Sequence, residues 1–160
     1  MKPKLIVRLI SNGQMNYKID KNNNIVLTLN VGEKINTSMS KVANIEKIEF
    51  GWINGIGAIE NPEIGYFDTI KRKYIKKLFK GDFELLSLIG NISIFDKEPF
   101  VHTHITFSNT QFQVFGGHLF DTKISAAGEF YISNSNLCVE REYNKSVGLN
   151  LLCIKNEKNY

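Results

Sequence analysis

The sequence contains few of the residues from which common catalytic and metal sites are built. Its 160 residues include three histidines, two cysteines, three prolines and one tryptophan. Cys138 and Cys153 fit neither a Cys-x-x-Cys redox motif nor the paired spacing of a zinc ribbon. No apolar run approaches the roughly 20 residues that a membrane helix needs. The sequence therefore argues against a cysteine-based redox or zinc fold and against a helical membrane protein.

The amino-terminal segment MKPKLIVRLI has lysines followed by apolar residues, as secretory signals do. Arg8 interrupts the apolar run, however, and no small-residue cleavage site follows it. We therefore expect a first strand here rather than a signal peptide. Two thiols with apolar neighbours, on a chain without an export signal, favour a reducing compartment. We predict a cytoplasmic protein without a membrane segment.

The composition is that of a globular protein with one core. A chain that is 42% hydrophobic and of this length can bury one real core, but it is too short for two comfortable domains. A helix near residues 31–44 is predicted because Asn30 and Glu33 have the spacing of a capping box and apolar residues recur on one face after them.

The remainder, to about Ser133, is rich in Ile, Val, Phe, Tyr and Thr and is broken at short intervals by turn residues, which is the pattern of a strand meander. The predicted strands are IEKIEFGWING, GAIENPEIGYFDTIK, KYIKKLF, FELLSLIGNISIF, FVHTHITFS, QFQVFGGHLF and KISAAGEFYIS. We predict an α+β fold with a mostly antiparallel sheet that curls towards a barrel. The segment SVGLNLLCIK is expected to add a strand or a short helical turn.

The net charge of +4 is mild, but one segment, KRKYIKKLFK, concentrates the basic residues. Its cations are Lys71, Arg72, Lys73, Lys76, Lys77 and Lys80, and aromatic residues lie between them. Such a run is one form of phosphate-binding surface, because cations neutralise the nucleic-acid backbone and rings stack on bases. Lysines also protect an exposed edge strand against aggregation. Both interpretations remain open from the sequence.

All three histidines lie within the stretch FVHTHITFSNTQFQVFGGHLF. His102 and His104 share one face of a predicted strand, about 7 Å apart, and a turn at SNTQ brings His118 back on the next strand. Three imidazoles suit zinc, and three protein ligands with an open fourth position are the catalytic arrangement. Three interpretations of the histidine cluster remain open: a metal site, a polar pocket and chance proximity.

The register of this hairpin decides whether the histidines converge. If the turn centres on Thr110, paired residue numbers sum to 220 and His118 lies opposite His102. If the turn centres between Asn109 and Thr110, the sum is 219 and His118 lies on the other face, since a one-residue slip inverts every side chain. The two adjacent glycines before His118 are candidates for a bulge that changes the register again.

Several blocks of the sequence together resemble the PPC domain, the "plants and prokaryotes conserved" domain. They are GWINGIGAIENPEIGYFD, FELLSLIGNIS, VHTHITF, VFGGHLF and ISAAGEFYI, in the order and spacing of that family. The resemblance covers residues 1–154 as one domain and leaves 155–160 as a frayed tail. It implies a compact α+β domain that assembles as a homotrimer. It also implies a bound metal, usually zinc, at the positions of His102, His104 and His118, and a more remote similarity to acetolactate decarboxylase.

The family is usually described as DNA-binding, and the resemblance implies less on this point. In plant members, the resemblance assigns DNA contact to a separate AT-hook with an Arg-Gly-Arg-Pro core. This sequence lacks that motif. The segment KRKYIKK has neither the glycine nor the proline of that motif. We therefore expect at most weak and non-specific binding to DNA.

Two residues beside the histidine blocks are further candidates. Glu84, at the head of FELLSL, is suited to orient a histidine ligand or to act as general base on a bound water, and equally to pair with a lysine across a subunit contact. Asn91 in LIGNIS is a further candidate for a role beside the metal. The leading hypothesis is a homotrimeric PPC-domain protein with a zinc site, of a DNA-binding or regulatory family. The alternative is a zinc-dependent small metalloenzyme that acts on an unknown small molecule.

Overall fold

The computed structural model describes residues 6–9 and 15–154. Its strands are β1 (Ile6–Leu9), β2 (Met15–Ile19), β3 (Ile25–Asn30), β4 (Phe50–Asp68), β5 (Lys73–Leu78), β6 (Asp82–Phe95), β7 (Glu98–Ser108), β8 (Val114–Ser135), β9 (Glu140–Asn144) and β10 (Leu149–Cys153), and its helix is α1 (Ile35–Glu46). The predicted α+β class, with a mostly antiparallel sheet and one helix, is confirmed for these residues. The predicted tail at 155–160 lies outside them.

Four strands close a ring at the centre of the sheet. β4 pairs with β6 and β8, and β7 pairs with the same two strands. β3, β2 and β1 extend the sheet beyond β8, and β5 pairs with the end of β4 that β6 leaves free. β9 joins β6 in parallel, which makes the sheet mixed, and β10 pairs with β9.

Alternation along the strands separates a buried inner face from an outer face. Inner-face residues such as Ile53, Leu88 and Ile105 are buried, and α1 packs its own apolar side against the same core. Three phenylalanines, Phe79, Phe83 and Phe107, meet edge to face at one end of the core. The core therefore lies between α1 and the inner face of the ring, and the outer face is left for other contacts.

The helix begins later than the sequence predicts. The backbone N–H of Asn30 donates to the Glu33 carboxylate over 2.7 Å, so the predicted side-chain contact exists, but it closes a turn before the helix. The Glu33 carbonyl then accepts the backbone N–H of Ile124 in β8, and the Ile124 carbonyl accepts the backbone N–H of Gly32. Because this segment pairs with the sheet, the helix starts at Ile35 and not near residue 31.

An aspartate of β8 caps the helix in place of a local residue. Lys34, at the N-cap position, makes no side-chain cap. Asp121 instead accepts the backbone N–H of Asn36 over 3.1 Å and the Thr37 hydroxyl over 2.8 Å. A carboxylate at this end is favourable because unpaired N–H groups and the helix dipole are positive there.

Two pairs of predicted strands are continuous in the structure. β4 runs through an irregularity between Gly55 and Gly57, and β8 joins two predicted strands over Val114–Ser135. At Gly57 the backbone has φ +157°, and a Cβ atom would collide with the Ala127 carbonyl.

Strand β2 is absent from the predicted strands, and the carboxy-terminal segment forms β10 rather than a helical turn. No helix in the described part of the chain is long and apolar enough to span a membrane.

Candidate metal centre

The pairing of β7 with β8 sets the positions of the histidines. His104 lies opposite His118, and the paired residue numbers sum to 222 along this hairpin. Neither register considered from the sequence is correct, but the sum is even, so all three histidines share the outer face. The pairing is regular at Gly116 and Gly117, so the suggested bulge is absent there.

The longer connection between these strands explains the register. Residues 109–113 form a five-residue loop in place of the expected tight turn. The Asn109 side-chain oxygen accepts the backbone N–H groups of Gln111 and Gln113, each over 3.0 Å. Phe112 adopts a left-handed conformation with φ +59°. Asn109 thus closes the loop, because its backbone and side chain together bond to Gln111, Phe112 and Gln113.

The three imidazole rings converge on one point. The ring centroids of His102, His104 and His118 are 5.1 to 5.4 Å apart, and one nitrogen from each ring lies within 4.8 Å of the others. His102 and His118 are half-buried, while His104 is exposed. The cluster therefore has one open side.

Aromatic rings cover the His118 side of the cluster. The Tyr74 ring of β5 stacks on His118 at 4.9 Å and 28°, and the Phe120 ring meets the same imidazole edge-on at 5.0 Å. Gly65 of β4 pairs with His118, and a Cβ atom here would lie 2.7 Å from Phe120 and 2.8 Å from Tyr74. The absent side chain at Gly65 makes room for both rings.

Arg141 of β9 covers the His102 side. Its Nη2 lies 3.4 Å from His102 Nδ1 and donates to Asn91 Oδ1 over 2.8 Å. Its Nε donates to Ser93 Oγ over 2.8 Å, and its Nη1 donates to the Asn150 carbonyl over 2.9 Å. The side chain thus joins β6, β7 and β10 beside the histidines. Asn91, a candidate from the sequence, orients Arg141 here.

Burial and positive neighbours keep the imidazoles neutral. Burial, followed by the charge of Arg141, lowers the pKa of His102 to about 4. Burial, followed by the charges of His104 and Lys76, lowers the pKa of His118 to about 4. Burial also lowers the pKa of His104. Neutral imidazoles are the form that binds a metal ion.

The residues present fit a zinc-type ion. His118 Nδ1 is buried without a hydrogen-bond partner, which is costly for a polar atom unless a ligand satisfies it. Three neutral nitrogen donors without a thiolate or carboxylate form the set. Imidazole suits zinc, copper, iron and nickel better than it suits magnesium or calcium. The donor chemistry and the unsatisfied nitrogen are both consistent with a transition metal.

Asn36 of α1 fixes the two histidine strands from the core side. Its amide nitrogen donates to the backbone carbonyls of Leu119 and Phe120, each over 3.2 Å, and its oxygen accepts the Thr103 hydroxyl over 2.8 Å. Thr103 lies between His102 and His104. Sequence reasoning missed Asn36, because no local pattern shows that a helix side chain reaches both strands.

The structure does not bring Glu84 to the histidines. Glu84 is exposed and pairs with Ser108 of β7, whereas the histidines lie opposite Ile89 and Asn91 further along β6. Glu84 therefore lies about 16 Å from that part of β6 at the usual rise per strand residue. Its predicted role beside the metal is inconsistent with this placement within one chain.

The basic segment is divided among different surroundings. Lys71 and Arg72 lie in the turn before β5, where Arg72 donates to the Lys145 carbonyl over 3.1 Å, and Lys80 follows the strand. Lys76 lies 3.7 Å over the Phe120 ring, on the histidine side. Strand alternation places Lys73 and Lys77 on the opposite side of β5. The six cations are thus divided between the turn before β5, the two sides of the strand and the segment after it.

The α+β fold and the hairpin with three converging histidines identify this chain as a candidate metal-binding domain. The family model described as "Plants and Prokaryotes Conserved (PCC) domain" matches residues 19–136, and the chain belongs to this family. The resemblance expected from the sequence blocks is thus confirmed. No curated protein matches the chain significantly.

Solved structures of relatives have the same fold. A PPC protein of Pyrococcus horikoshii is 35% identical, with a TM-score of 0.78 over 92% of this chain and 100% of that one. A protein of Archaeoglobus fulgidus described as metal-containing is 31% identical, with a TM-score of 0.77 over 86% and 96%. A protein of Bacteroides thetaiotaomicron described as a "putative DNA binding protein" is 29% identical, with a TM-score of 0.84 over 88% and 97%.

The metal-free protein is expected to lose stability as the pH falls from about 6.5 towards about 4. The folded pKa of His102 and of His118 is about 4, below the unfolded value of about 6.5. The unfolded state therefore binds protons first, and the stability present above pH 6.5 is lost across this window. Urea unfolding of chelator-treated protein at several pH values measures the loss. A His102→Gln/His118→Gln variant should show a shallower dependence, and an equal dependence contradicts the prediction.

Proposed function

We propose that the protein is a cytoplasmic, homotrimeric PPC-domain protein with one zinc centre per chain. His102, His104 and His118 hold the metal. The observation that carries the proposal is the unpartnered, buried Nδ1 of His118 within a cluster of three neutral imidazoles. The metal-containing relative from Archaeoglobus fulgidus supports it.

Three protein ligands leave a coordination position for water or a small molecule, which is the arrangement of catalytic rather than structural zinc. When bound, zinc supplies Lewis acidity at this position. The chain's own residues prepare the site. Tyr74 and Phe120 exclude water from the His118 side, and Arg141 is close enough to influence the orientation of His102.

A zinc-dependent metalloenzyme is the alternative function, and the open coordination position favours it. A second catalytic group is needed in most such mechanisms. Glu84 lies too far along β6 to supply it within the chain. Arg141 and Tyr74 are the polar residues that contact the histidines directly. The enzyme hypothesis therefore depends on these two residues rather than on a carboxylate base.

Zinc binding is expected to depend on His104. Isothermal titration of chelator-treated wild type should give one zinc per chain, and zinc at a hundred times Kd should add about 2.7 kcal/mol of stability. For a protein of this size that is a melting shift of roughly 5 to 10 °C. His104→Ala should remove both effects. Thr106→Ala, which alters an exposed residue on the same face of β7, should retain them. Equal zinc affinity of His104→Ala and wild type contradicts the proposal.

The outer face of the sheet is suited to subunit contact. Several of its apolar side chains are 40 to 59% exposed, namely Val26, Trp52, Ile56, Leu86, Ile89 and Tyr131. Five of them line one groove, and strand pairing connects Val26, Tyr131, Asn54 and Ile89 across the sheet. Contiguous exposed apolar surface of this kind marks an interaction site. We assign it to the trimer contact that the family resemblance implies.

A homotrimer should have three times the chain mass of 18.3 kDa in size exclusion coupled to light scattering. Ile56→Glu should lower this mass, because it places a charge within the apolar groove while leaving the core intact. Ile70→Glu is the matched control, since Ile70 is 92% exposed in the turn after β4. A monomeric wild type at micromolar concentration contradicts the proposed assembly.

DNA binding is the second property to consider, because one relative is described as a "putative DNA binding protein". Lys73, Lys77 and Lys80 are exposed, and Lys77 lies 4.5 Å over the Phe79 ring without a carboxylate partner among the described residues. Lys76 is less available for phosphate contact, because it contacts Phe120 and lies 3.7 Å from Glu63. A divided set of cations favours charge neutralisation over the reading of a base sequence.

Binding to duplex DNA is expected to be weak and non-specific, with Kd on the order of 10⁻⁴ to 10⁻⁶ M, and to fall steeply with salt. Fluorescence anisotropy with two unrelated duplexes measures it. Replacing Lys73, Lys77 and Lys80 with Ala should flatten the salt dependence. Replacing Lys18, Lys21 and Lys41, which are exposed elsewhere, removes the same charge and should have less effect. Tight binding to one duplex at physiological salt contradicts this expectation.

A further inference from the structure

Arg141 is a buried charge without a counter-charge among the residues that the structure describes. The residue is 8% exposed, and its hydrogen-bond acceptors are a serine hydroxyl, an asparagine side-chain oxygen and a backbone carbonyl. Among the described residues, no carboxylate contacts the guanidinium. The Phe100 ring lies 4.8 Å from the guanidinium carbon. Arginine is rarely buried unless it is paired, because an uncompensated charge in the interior is costly.

The surroundings of Arg141 are also positive. Its Nη2 is 3.4 Å from His102 Nδ1, and its charge lowers the pKa of both His102 and His118. Lys76 acts on His118 from the other side. None of the neighbouring charges that shift the pKa values of the three histidines is a carboxylate. A bound dication adds to this field, so the site favours an anion.

The guanidinium is held in place before any ligand binds. It has five N–H donors. Ser93, Asn150, Asn91 and His102 account for four of them, so one proton of Nη1 lacks a partner among the described residues. A charged donor fixed in a partly desolvated site binds an anion with little reorganisation.

We propose that this site binds a small carboxylate, held by Arg141 and by the position that the three histidines leave open on the metal. This inference rests on the proposed zinc centre. A carboxylate is suited to both partners, because one of its oxygens can accept the remaining Nη1 proton while the other binds the metal. A dication alone already favours an anion over a neutral ligand of the same shape, so the contribution of Arg141 is the part of this preference that its replacement removes.

The test compares glycolate with glycolamide, its neutral amide, by isothermal titration into zinc-loaded protein of measured zinc content. Glycolate is expected to bind on the order of 10- to 100-fold more tightly, as for hydrogen bonds to a charged group. Arg141→Gln should keep its zinc and lose most of this preference, leaving the part that the metal supplies, and Arg141→Lys should show an intermediate preference. Arg72→Gln alters another arginine, which contacts Lys145, and should behave as wild type.

The outcomes separate the anion site from the metal centre. If zinc-loaded wild type binds glycolate and glycolamide equally, or binds neither, the carboxylate site is refuted while the metal centre stands. This comparison needs no variant, so it holds even if Arg141→Gln fails to fold. If Arg141→Gln is folded, zinc-loaded and still prefers glycolate to the same degree, Arg141 is not the anion-binding group. If wild type binds no zinc, the metal centre itself is refuted, and the carboxylate site with it.

Discussion

The candidate site depends on one continuous row of strand pairs. Ile89, His104, His118, Gly65 and Lys76 lie side by side on β6, β7, β8, β4 and β5. Because paired residues share a face of the sheet, this row brings two imidazoles together and places a glycine where aromatic rings need space. His102 joins from the next position on the same face. The inner face of these strands is fixed by the core and by Asn36, so the histidines are held by residues that never contact them.

Local features of the site were predictable, and long-range ones were not. Alternation within β7 is enough to place His102 beside His104, and a short connection brings His118 back. Arg141 could not be assigned, because β9 reaches the histidines only through its pairing with β6, across a large separation in sequence. Asn36 is similar, since its contacts with β7 and β8 depend on how the helix packs. Periodicity carries no information about such contacts.

The errors in the fold prediction have the same origin. Asn30 and Glu33 do form the contact that marks many helix starts, yet this contact closes a turn, and pairing with β8 delays the helix until Ile35. Glu84 was singled out because it stands at the head of a characteristic block, but its position in the ring separates it from the histidines. The sheet class and the helix followed from composition and periodicity. The helix start and the hairpin register did not, because tertiary hydrogen bonds decide both.

The five-residue loop around Gln111 limits how this hairpin can change in evolution. A one-residue deletion or insertion that is taken up by the strand pairing, and not by the loop, would turn His118 into the core and bring an apolar neighbour to the outer face. A change of two residues would keep His118 on its face but would shift it along β7, away from His104. Insertions that preserve the cluster must therefore extend the loop outward and leave the strand pairs intact. Among relatives that retain the three histidines, we expect loop lengths to vary while the pairing of the histidine strands stays constant.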